Sequence, residues 1–264
     1  MGSQFVDFNA DGITDLFTAT FDGSPWVAFG SKEGFKQPQQ LKDKNGERVL
    51  LSQYWDYDAK KWTNLDRTGG VDQDAHCISA VLFDWDADGD FDLVMGDREG
   101  YLWLQMNEGS AKEAKFSGQS EKIKSGDKPL YAGDKITAPK LVDWDRDGLT
   151  DILVGTFGDT WGMDKGGGVL LFRNHGKKGA PSFQQPRTLI EASPKGQKEP
   201  TRPDAGCYVD AVDYDGDGDL DLVVGGYSIF AAEKKDPTPR DREGRQPFVW
   251  VYLQNSSAKQ APRR

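Results

Sequence analysis

One pattern written four times constrains this chain more than any other feature. Asp7-Phe-Asn-Ala-Asp-Gly-Ile-Thr-Asp15, Asp84-Trp-Asp-Ala-Asp-Gly-Asp-Phe-Asp92, Asp143-Trp-Asp-Arg-Asp-Gly-Leu-Thr-Asp151 and Asp213-Tyr-Asp-Gly-Asp-Gly-Asp-Leu-Asp221 share the form D-x-D/N-x-D-G-x-x-D. A repeat at this spacing points to a repeat architecture, one supersecondary unit per copy. Short apolar runs flank the copies: Ala80-Val81-Leu82-Phe83 and Lys140-Leu141-Val142 precede two of them, and Leu93-Val94-Met95-Gly96, Ile152-Leu153-Val154-Gly155 and Leu222-Val223-Val224-Gly225 follow three. Each nonapeptide therefore joins two buried strands. A third, aromatic or alternating run follows at Pro25–Phe29, Tyr101–Leu104, Val169–Phe172 and Val249–Tyr252, and a weaker fourth near 35–41, 115–123 and 182–190. Four short antiparallel strands per repeat describe a propeller blade. The expected fold is all-β: one β-propeller domain over 1–264, with repeats at about 4–42, 77–124, 138–191 and 207–255 and an insertion at 43–76. Segment 48–65 has the look of an extra hairpin turning at Tyr57-Asp58-Ala59-Lys60. The four copies leave three arrangements open: a small ring, a degenerate extra blade within 43–75, or part of a larger ring.

The spacing of acids inside the repeat suits Ca²⁺, a hard cation that takes six to eight oxygens at about 2.3–2.6 Å. Alternate residues of a tight loop aim at one centre, so positions 1, 3 and 5 supply side chains. These are Asp7, Asn9 and Asp11; Asp84, Asp86 and Asp88; Asp143, Asp145 and Asp147; Asp213, Asp215 and Asp217. Glycine at position 6 allows the sharp turn. Position 7 then offers a carbonyl, from Ile13, Asp90, Leu149 and Asp219, and position 9 closes the shell with Asp15, Asp92, Asp151 and Asp221. Up to four Ca²⁺ ions follow. The first loop, with Asn9 in place of an acid, is expected to release its ion first on graded chelation. An EF-hand is excluded, because position 12 is Thr18, Met95, Val154 or Val224 within a strand pattern rather than a glutamate before a helix.

Composition narrows the class of partner. Net charge is -10, and the four loops hold more than a third of the 43 acidic residues, which disfavours a nucleic acid held through phosphates and favours a cation. The 22 Phe and Tyr, with 8 Trp besides, exclude a disordered acidic chain. Apolar runs fall short of the ~18 residues needed to span a bilayer, so no membrane insertion is expected. The opening Met1-Gly2-Ser3-Gln4 carries no leader and fits one removed earlier. Cys77 and Cys207 sit at equivalent points of two non-neighbouring repeats, where a Cα separation of ~5.5 Å is hard to reach; pairing and free thiols both stay open.

These loops resemble the FG-GAP/VCBS repeat family, the Ca²⁺-binding blades of integrin alpha-chain propellers and of many secreted bacterial proteins. Phe157-Gly158 and Gly179-Ala180-Pro181 add weaker likeness. The resemblance implies a propeller, a secreted, periplasmic or cell-surface location, and adhesion or recognition more often than catalysis. Integrin-type propellers have seven blades, whereas four loops stand here; an open ring would expose edges through which the chain can self-associate.

Strand alternation puts the Ca²⁺ loops on one face and the insertions 43–75, 127–139, 158–168, 191–206 and 227–247 on the other. The insertions carry Tyr54, Trp55, Trp62, Trp161 and Tyr227 beside Arg67, Arg202, Asp159, Asp164 and Asp204, a set able to hold a glycan or a protein ligand. For any single aromatic, packing within its own loop is the stronger expectation. The aromatics at loop position 2, Phe8, Trp85, Trp144 and Tyr214, are expected to fill the core between blades. No catalytic residue is assigned: His76 and His175 lie in different repeats, and Cys77 follows His76 on a strand that sends neighbours to opposite faces. The alternatives are a polysaccharide lyase or hydrolase using insertion acids such as Asp164 or Asp204, and a structural spacer in a larger surface protein.

Overall fold

Short apolar runs on either side of an Asp-Gly turn form antiparallel hairpins, and four such hairpins set the architecture. The computed structural model describes residues 3–64, 76–133, 136–158, 166–193, 201–229 and 245–254. Trp161, Arg67, Asp159 and Asp164 lie outside these residues.

The first blade is β1 (Ser3–Val6), β2 (Asp15–Ala19), β3 (Pro25–Ala28) and β4 (Gln39–Gln40), followed by the pair β5 (Gln53–Asp56) and β6 (Lys61–Asn64). The second is β7 (Cys77–Phe83), β8 (Asp92–Asp97), β9 (Leu102–Gln105) and β10 (Glu121–Lys122), with the small pair β11 (Lys124–Ser125) and β12 (Lys128–Pro129) after it. The third is β13 (Thr137–Val142), β14 (Asp151–Thr156), β15 (Val169–Phe172) and β16 (Arg187–Ile190). The fourth has three described strands, β17 (Ala205–Val212), β18 (Asp221–Ile229) and β19 (Arg245–Tyr252). The sheets are antiparallel meanders arranged as a four-bladed β-propeller, and each nonapeptide joins the first strand of a blade to the second. The 48–65 hairpin forms as expected, with Trp55 opposite Trp62 and the turn closed by Asp56 Oδ1, which accepts from the Asp58 and Ala59 amides at 2.9 Å. It is a two-stranded ribbon and not a fifth blade.

Three apolar cores lie between successive blades. Phe17, Met95 and Phe116 are buried in the first, Val94, Ile152 and Phe183 in the second, and Leu153, Cys207 and Val224 in the third. Both cysteines are buried and neither forms a disulfide, since they belong to different cores. Burial pushes the Cys77 thiol up to about 12. Two glycines let the blades approach: a methyl group on Gly96 or Gly155 would collide with the carbonyl of Thr137 or Cys207 on the next blade.

A second repeated device ties β2 to β3 and β8 to β9 on the face opposite the Asp-rich loops. Asp97 Oδ1 accepts from the amides of Glu99, Gly100 and Tyr101 at 2.8–2.9 Å, and its Oδ2 from Trp103 Nε1 at 2.8 Å. Asp22 does the same work in the first blade, taking Ser24 N at 2.9 Å, Trp26 Nε1 at 3.0 Å and the Tyr57 hydroxyl of the β5–β6 ribbon at 3.1 Å. Burial pushes the Asp22 carboxyl up, but hydrogen bonds from Thr20, Ser24 and Trp26 outweigh it and hold the group below the usual range.

Of the insertion aromatics among the described residues, Tyr54, Trp55 and Trp62 pack locally, as expected, while Tyr227 in β18 is 39% exposed. Trp55 and Trp62 meet edge to face at 5.7 Å, Trp62 lies 4.6 Å from the His76 ring, and Arg48 covers Tyr54 at 4.7 Å. The His76 ring nitrogen Nε2 sits 3.0 Å from the Phe21 carbonyl, so in the Nε2–H form it donates there. Asp204 is fully buried between the hydroxyls of Ser193 and Ser228, which places it in the scaffold of the fourth blade.

Candidate metal centre

Each Asp-rich loop is organised by its own side chains. The position-5 carboxylate accepts from the position-7 amide in every copy: Asp11 from Ile13 at 2.8 Å, Asp88 from Asp90 at 3.0 Å, Asp147 from Leu149 at 2.9 Å and Asp217 from Asp219 at 2.8 Å. The position-1 carboxylate accepts from the position-6 glycine amide, with Asp7 taking Gly12 at 2.9 Å, Asp84 Gly89 at 3.3 Å, Asp143 Gly148 at 3.0 Å and Asp213 Gly218 at 3.1 Å. Those glycines have φ between 84° and 96°, which explains their presence. Position 4 is left-handed too, at Ala10, Ala87 and Arg146 as well as Gly216, a conformation that costs a non-glycine residue roughly 1 kcal/mol.

Position 9 has a structural role that its spacing alone does not reveal. Asp15, Asp92, Asp151 and Asp221 are buried, and each uses one oxygen to take the position-2 amide and the other to take an amide just beyond the third strand. Asp92 accepts from Trp85 N at 2.8 Å and Asn107 N at 2.7 Å; Asp151 from Trp144 N at 3.1 Å and Asn174 N at 2.7 Å. Asp15 takes Phe8 and Gly30, and Asp221 takes Tyr214 and Gln254, in the same way. A carboxylate has about four lone-pair sites, so two amides leave capacity for a cation.

Three of the loops bring carboxylate oxygens within 4.8 Å of one another: Asp84, Asp86 and Asp92; Asp143, Asp145 and Asp147; Asp213, Asp215 and Asp221. The set is thus positions 1, 3 and 9 in the second and fourth loops and 1, 3 and 5 in the third. Asp88, Asp217 and Asp151 stand outside these trios. In the first loop Asn9 Nδ2 donates to Asp11 at 3.1 Å and no such trio of acids forms.

The second loop fits a cation best. Asp84 Oδ1 and Asp90 Oδ1 are buried and without a hydrogen-bond partner. Two orphaned carboxylate oxygens beside further acids are costly unless a positive charge lies between them. Burial first, then the charges of Asp88 and Asp86, raise the Asp90 carboxyl. Burial pushes Asp92 up to about 6, against the two backbone amides that pull it down. Asp90 stands outside the trio of Asp84, Asp86 and Asp92, but it is 5% exposed and its Oδ1 lacks a hydrogen-bond partner, whereas its spacing suggested a carbonyl ligand alone. In the third loop a positive group is already present: Arg173, at the end of β15, pairs with Asp145 and lies 3.9 Å from Asp147.

A hairpin just after the third strand covers the preceding blade's loop, and residue-by-residue reading of the acids missed it. Asn107 Oδ1 accepts from Gly109 and Lys115, and Asn174 Oδ1 from Gly176 and Ser182, all at 2.7–3.0 Å. Each hairpin ends in a buried phenylalanine that meets the position-2 aromatic of the blade before: Phe116 lies parallel to Phe8 at 6.4 Å, and Phe183 stands 5.9 Å from Trp85. Phe8, Trp85 and Trp144 pack on the inter-blade cores as expected. Tyr214 does not; it is 63% exposed. The repeated Asn-x-Gly followed by Phe nine residues after the Asn was the available signal.

No curated protein matches the chain. A family model described as FG-GAP-like repeat matches residues 84–154 and again 143–224, overlapping copies that together span more than half of the sequence. The matched stretches each run from one Asp-rich loop through the next, the unit that the blades, latches and hairpins repeat, and the chain belongs to the FG-GAP-like repeat family.

Proposed function

We propose that this propeller binds Ca²⁺ at its Asp-rich loops and serves as an extracellular recognition or adhesion module, with a glycan or protein ligand on the face opposite the loops. The observation that carries the cation is the pair of buried, partnerless oxygens on Asp84 and Asp90 among converging carboxylates. When bound, Ca²⁺ supplies the positive charge that lets these acids stay ionised together. Asp84, Asp86, Asp90 and Asp92 hold it in the second loop, and Asp213, Asp215 and Asp221 in the fourth. The residues of the chain otherwise position: the position-9 acid links loop and strands, so filling the loop stiffens the blade.

The opposite face supports recognition by its rigidity and its exposed rings. The β5–β6 ribbon is fixed to the first blade through Tyr57 and Asp22, and the rings of Trp62 and Tyr57 remain about half exposed. Aromatic faces held on a stiff ribbon suit stacking against a sugar or a partner's side chains.

Thermal unfolding in EDTA, Mg²⁺ and Ca²⁺, with metal counting on the dialysed protein, tests the cation. At a hundredfold excess over Kd each site adds about 2.7 kcal/mol. Filling several sites therefore raises Tm by more than about 10 °C, while Mg²⁺, which requires a smaller octahedral shell, does little. An unchanged Tm with no retained calcium refutes the reading. A glycan array repeated with Trp62→Ala tests the ligand face; unchanged binding by that variant removes the ribbon from the account.

A further inference from the structure

The first two blade junctions are built on the same positions, and their backbone bonds give the alignment. The Leu41 amide donates to the Pro25 carbonyl as Ile123 does to Leu102, so Val27 of β3 corresponds to Leu104 of β9. On the hairpins that cover these junctions, Ser117 donates to Met106 as Gln184 does to Arg173, so Ala114 corresponds to Pro181 and Lys112 to Gly179. Phe8 and Trp85 share loop position 2. Phe8, Val27 and Ala114 thus stand at the first junction where Trp85, Leu104 and Pro181 stand at the second, and each is the smaller residue of its pair.

Three smaller side chains at one packed contact leave space unfilled. A cavity of about 240 Å³ opens at the first junction, walled by Phe8, Val27, Phe29, Leu41, Ala114 and Phe116. The Phe8 ring lies 6.2 Å from that of Phe29 and 6.4 Å from that of Phe116, so three aromatic rings gather on this wall.

The rim changes in charge as the wall changes in size. Asn9 stands in place of Asp86, and Gln39, opposite Val27 as Glu121 is opposite Leu104, stands in place of that glutamate. Lys112 takes the place of Gly179, whose absent side chain lets the second hairpin close on the Asp86 carbonyl. Lys42 lines the cavity as well. The hairpin acids face other lysines, Glu113 meeting Lys115 at 3.2 Å and Glu108 meeting Lys44 at 2.6 Å. Asp11 of the neighbouring loop accepts from Asn9 Nδ2 and the Ile13 amide. The lining therefore carries two ammonium groups and no carboxylate, in a chain whose net charge is -10.

We propose that this cavity binds a small aryl carboxylate, its ring against the three phenylalanines and its carboxylate between Lys42 and Lys112. The volume falls below the ~300–1,000 Å³ of pockets for drug-sized ligands, which limits the guest to about one ring with a short chain. A ring there meets other rings edge to face or offset, and the ammonium groups supply charge-assisted hydrogen bonds at the mouth. A bare inorganic anion would leave the apolar wall uncovered, and a neutral ring would leave the two lysines unanswered. Neither the Asp-rich loops as cation sites nor the β5–β6 ribbon enters this inference.

Calorimetric titration of the 264-residue chain with phenylpropionate, in EDTA so that no loop cation takes the carboxylate, tests it. The expected Kd is below about 1 mM. Phenylpropionamide, which lacks the charge, and propionate, which lacks the ring, each bind at least about fivefold more weakly. Phe8→Trp and, separately, Val27→Leu copy the second junction and fill the cavity; both abolish binding while circular dichroism and the urea midpoint stay at or above those of the parent. Lys112→Gln weakens phenylpropionate at least about threefold and leaves the amide unchanged. A titration that shows no binding up to about 10 mM, equal affinity for acid and amide, or undiminished binding by a folded Phe8→Trp or Val27→Leu chain would each overturn the proposal.

Discussion

Replacing Phe183 by alanine tests whether the hairpins stitch one blade to the next. Phe183 is 5% exposed and its ring stands 5.9 Å from Trp85, with Ile152 and Phe172 in the same core. A buried phenylalanine removes about 150–250 Å² from water. At about 25 cal/mol/Å² this is a gross gain of about 4–6 kcal/mol. Allowing for residual compactness of the unfolded chain, and comparing with measured Phe→Ala losses of about 3–5 kcal/mol, the expected cost is about 3 kcal/mol. That is a large fraction of an ordinary domain's stability. Urea unfolding in EDTA, followed by tryptophan fluorescence and by far-ultraviolet circular dichroism, reads the loss as a fall in midpoint at constant slope. Phe183→Leu, which keeps most of the volume, loses about 1 kcal/mol. Phe21→Ala is the control: half exposed, it shifts stability by no more than about 0.5 kcal/mol. If Phe183→Ala costs no more than the control, the hairpin is an ornament on the loop and the stitching argument is wrong.

Three further outcomes are expected. Burial, with the Arg98 charge adding to it, holds His76 below its usual 6.5 even though the Phe21 carbonyl favours the charged ring. The unfolded chain therefore takes up a proton that the folded one resists, so the His76 contribution to stability falls as pH drops below about 6.5 while the raised Asp92 carboxyl contributes in the opposite sense, and a His76→Gln variant gains urea midpoint relative to the parent on going from about pH 7.5 to about 5.5. Arg173→Gln removes the guanidinium that competes for Asp145 and Asp147, so calorimetric titration should find calcium binding at the third loop tighter by about two- to fivefold; no change would mean that the arginine swings clear at no cost. Cys77 and Cys207 are buried and form no disulfide, and a thiol reagent should label neither until the chain unfolds, then both.

Much of the fold was readable because its signals are local. An Asp-Gly turn between two apolar runs specifies a hairpin over some twenty residues, and four copies made the blades visible. The β5–β6 ribbon was legible for the same reason, its turn marked at residues 57–60. What escaped was non-local or irregular. Asp22 and Asp97 perform one task, but their tryptophan partners stand four and six residues away, so no fixed spacing announces them. Arg173 meets the third loop only because the third strand ends beside it, and a charge contact across some 26 positions has no local signature. The loop pattern tolerates Ile13 and Leu149 at the place of Asp90, so its side chain carries no signal in the spacing; only its burial with an unpartnered oxygen marks it.

The double duty of the last aspartate in each loop bears on how these sites should be probed. Asp92 or Asp151 changed to alanine strands two backbone amides along with any lost ligand, at about 1–3 kcal/mol for each orphaned group, so the resulting variant would report a damaged sheet as if it were a missing ion. Asp86 and Asp215, exposed at the rim and bonded only within the turn, are the places where cation affinity can be altered while the blade stays whole.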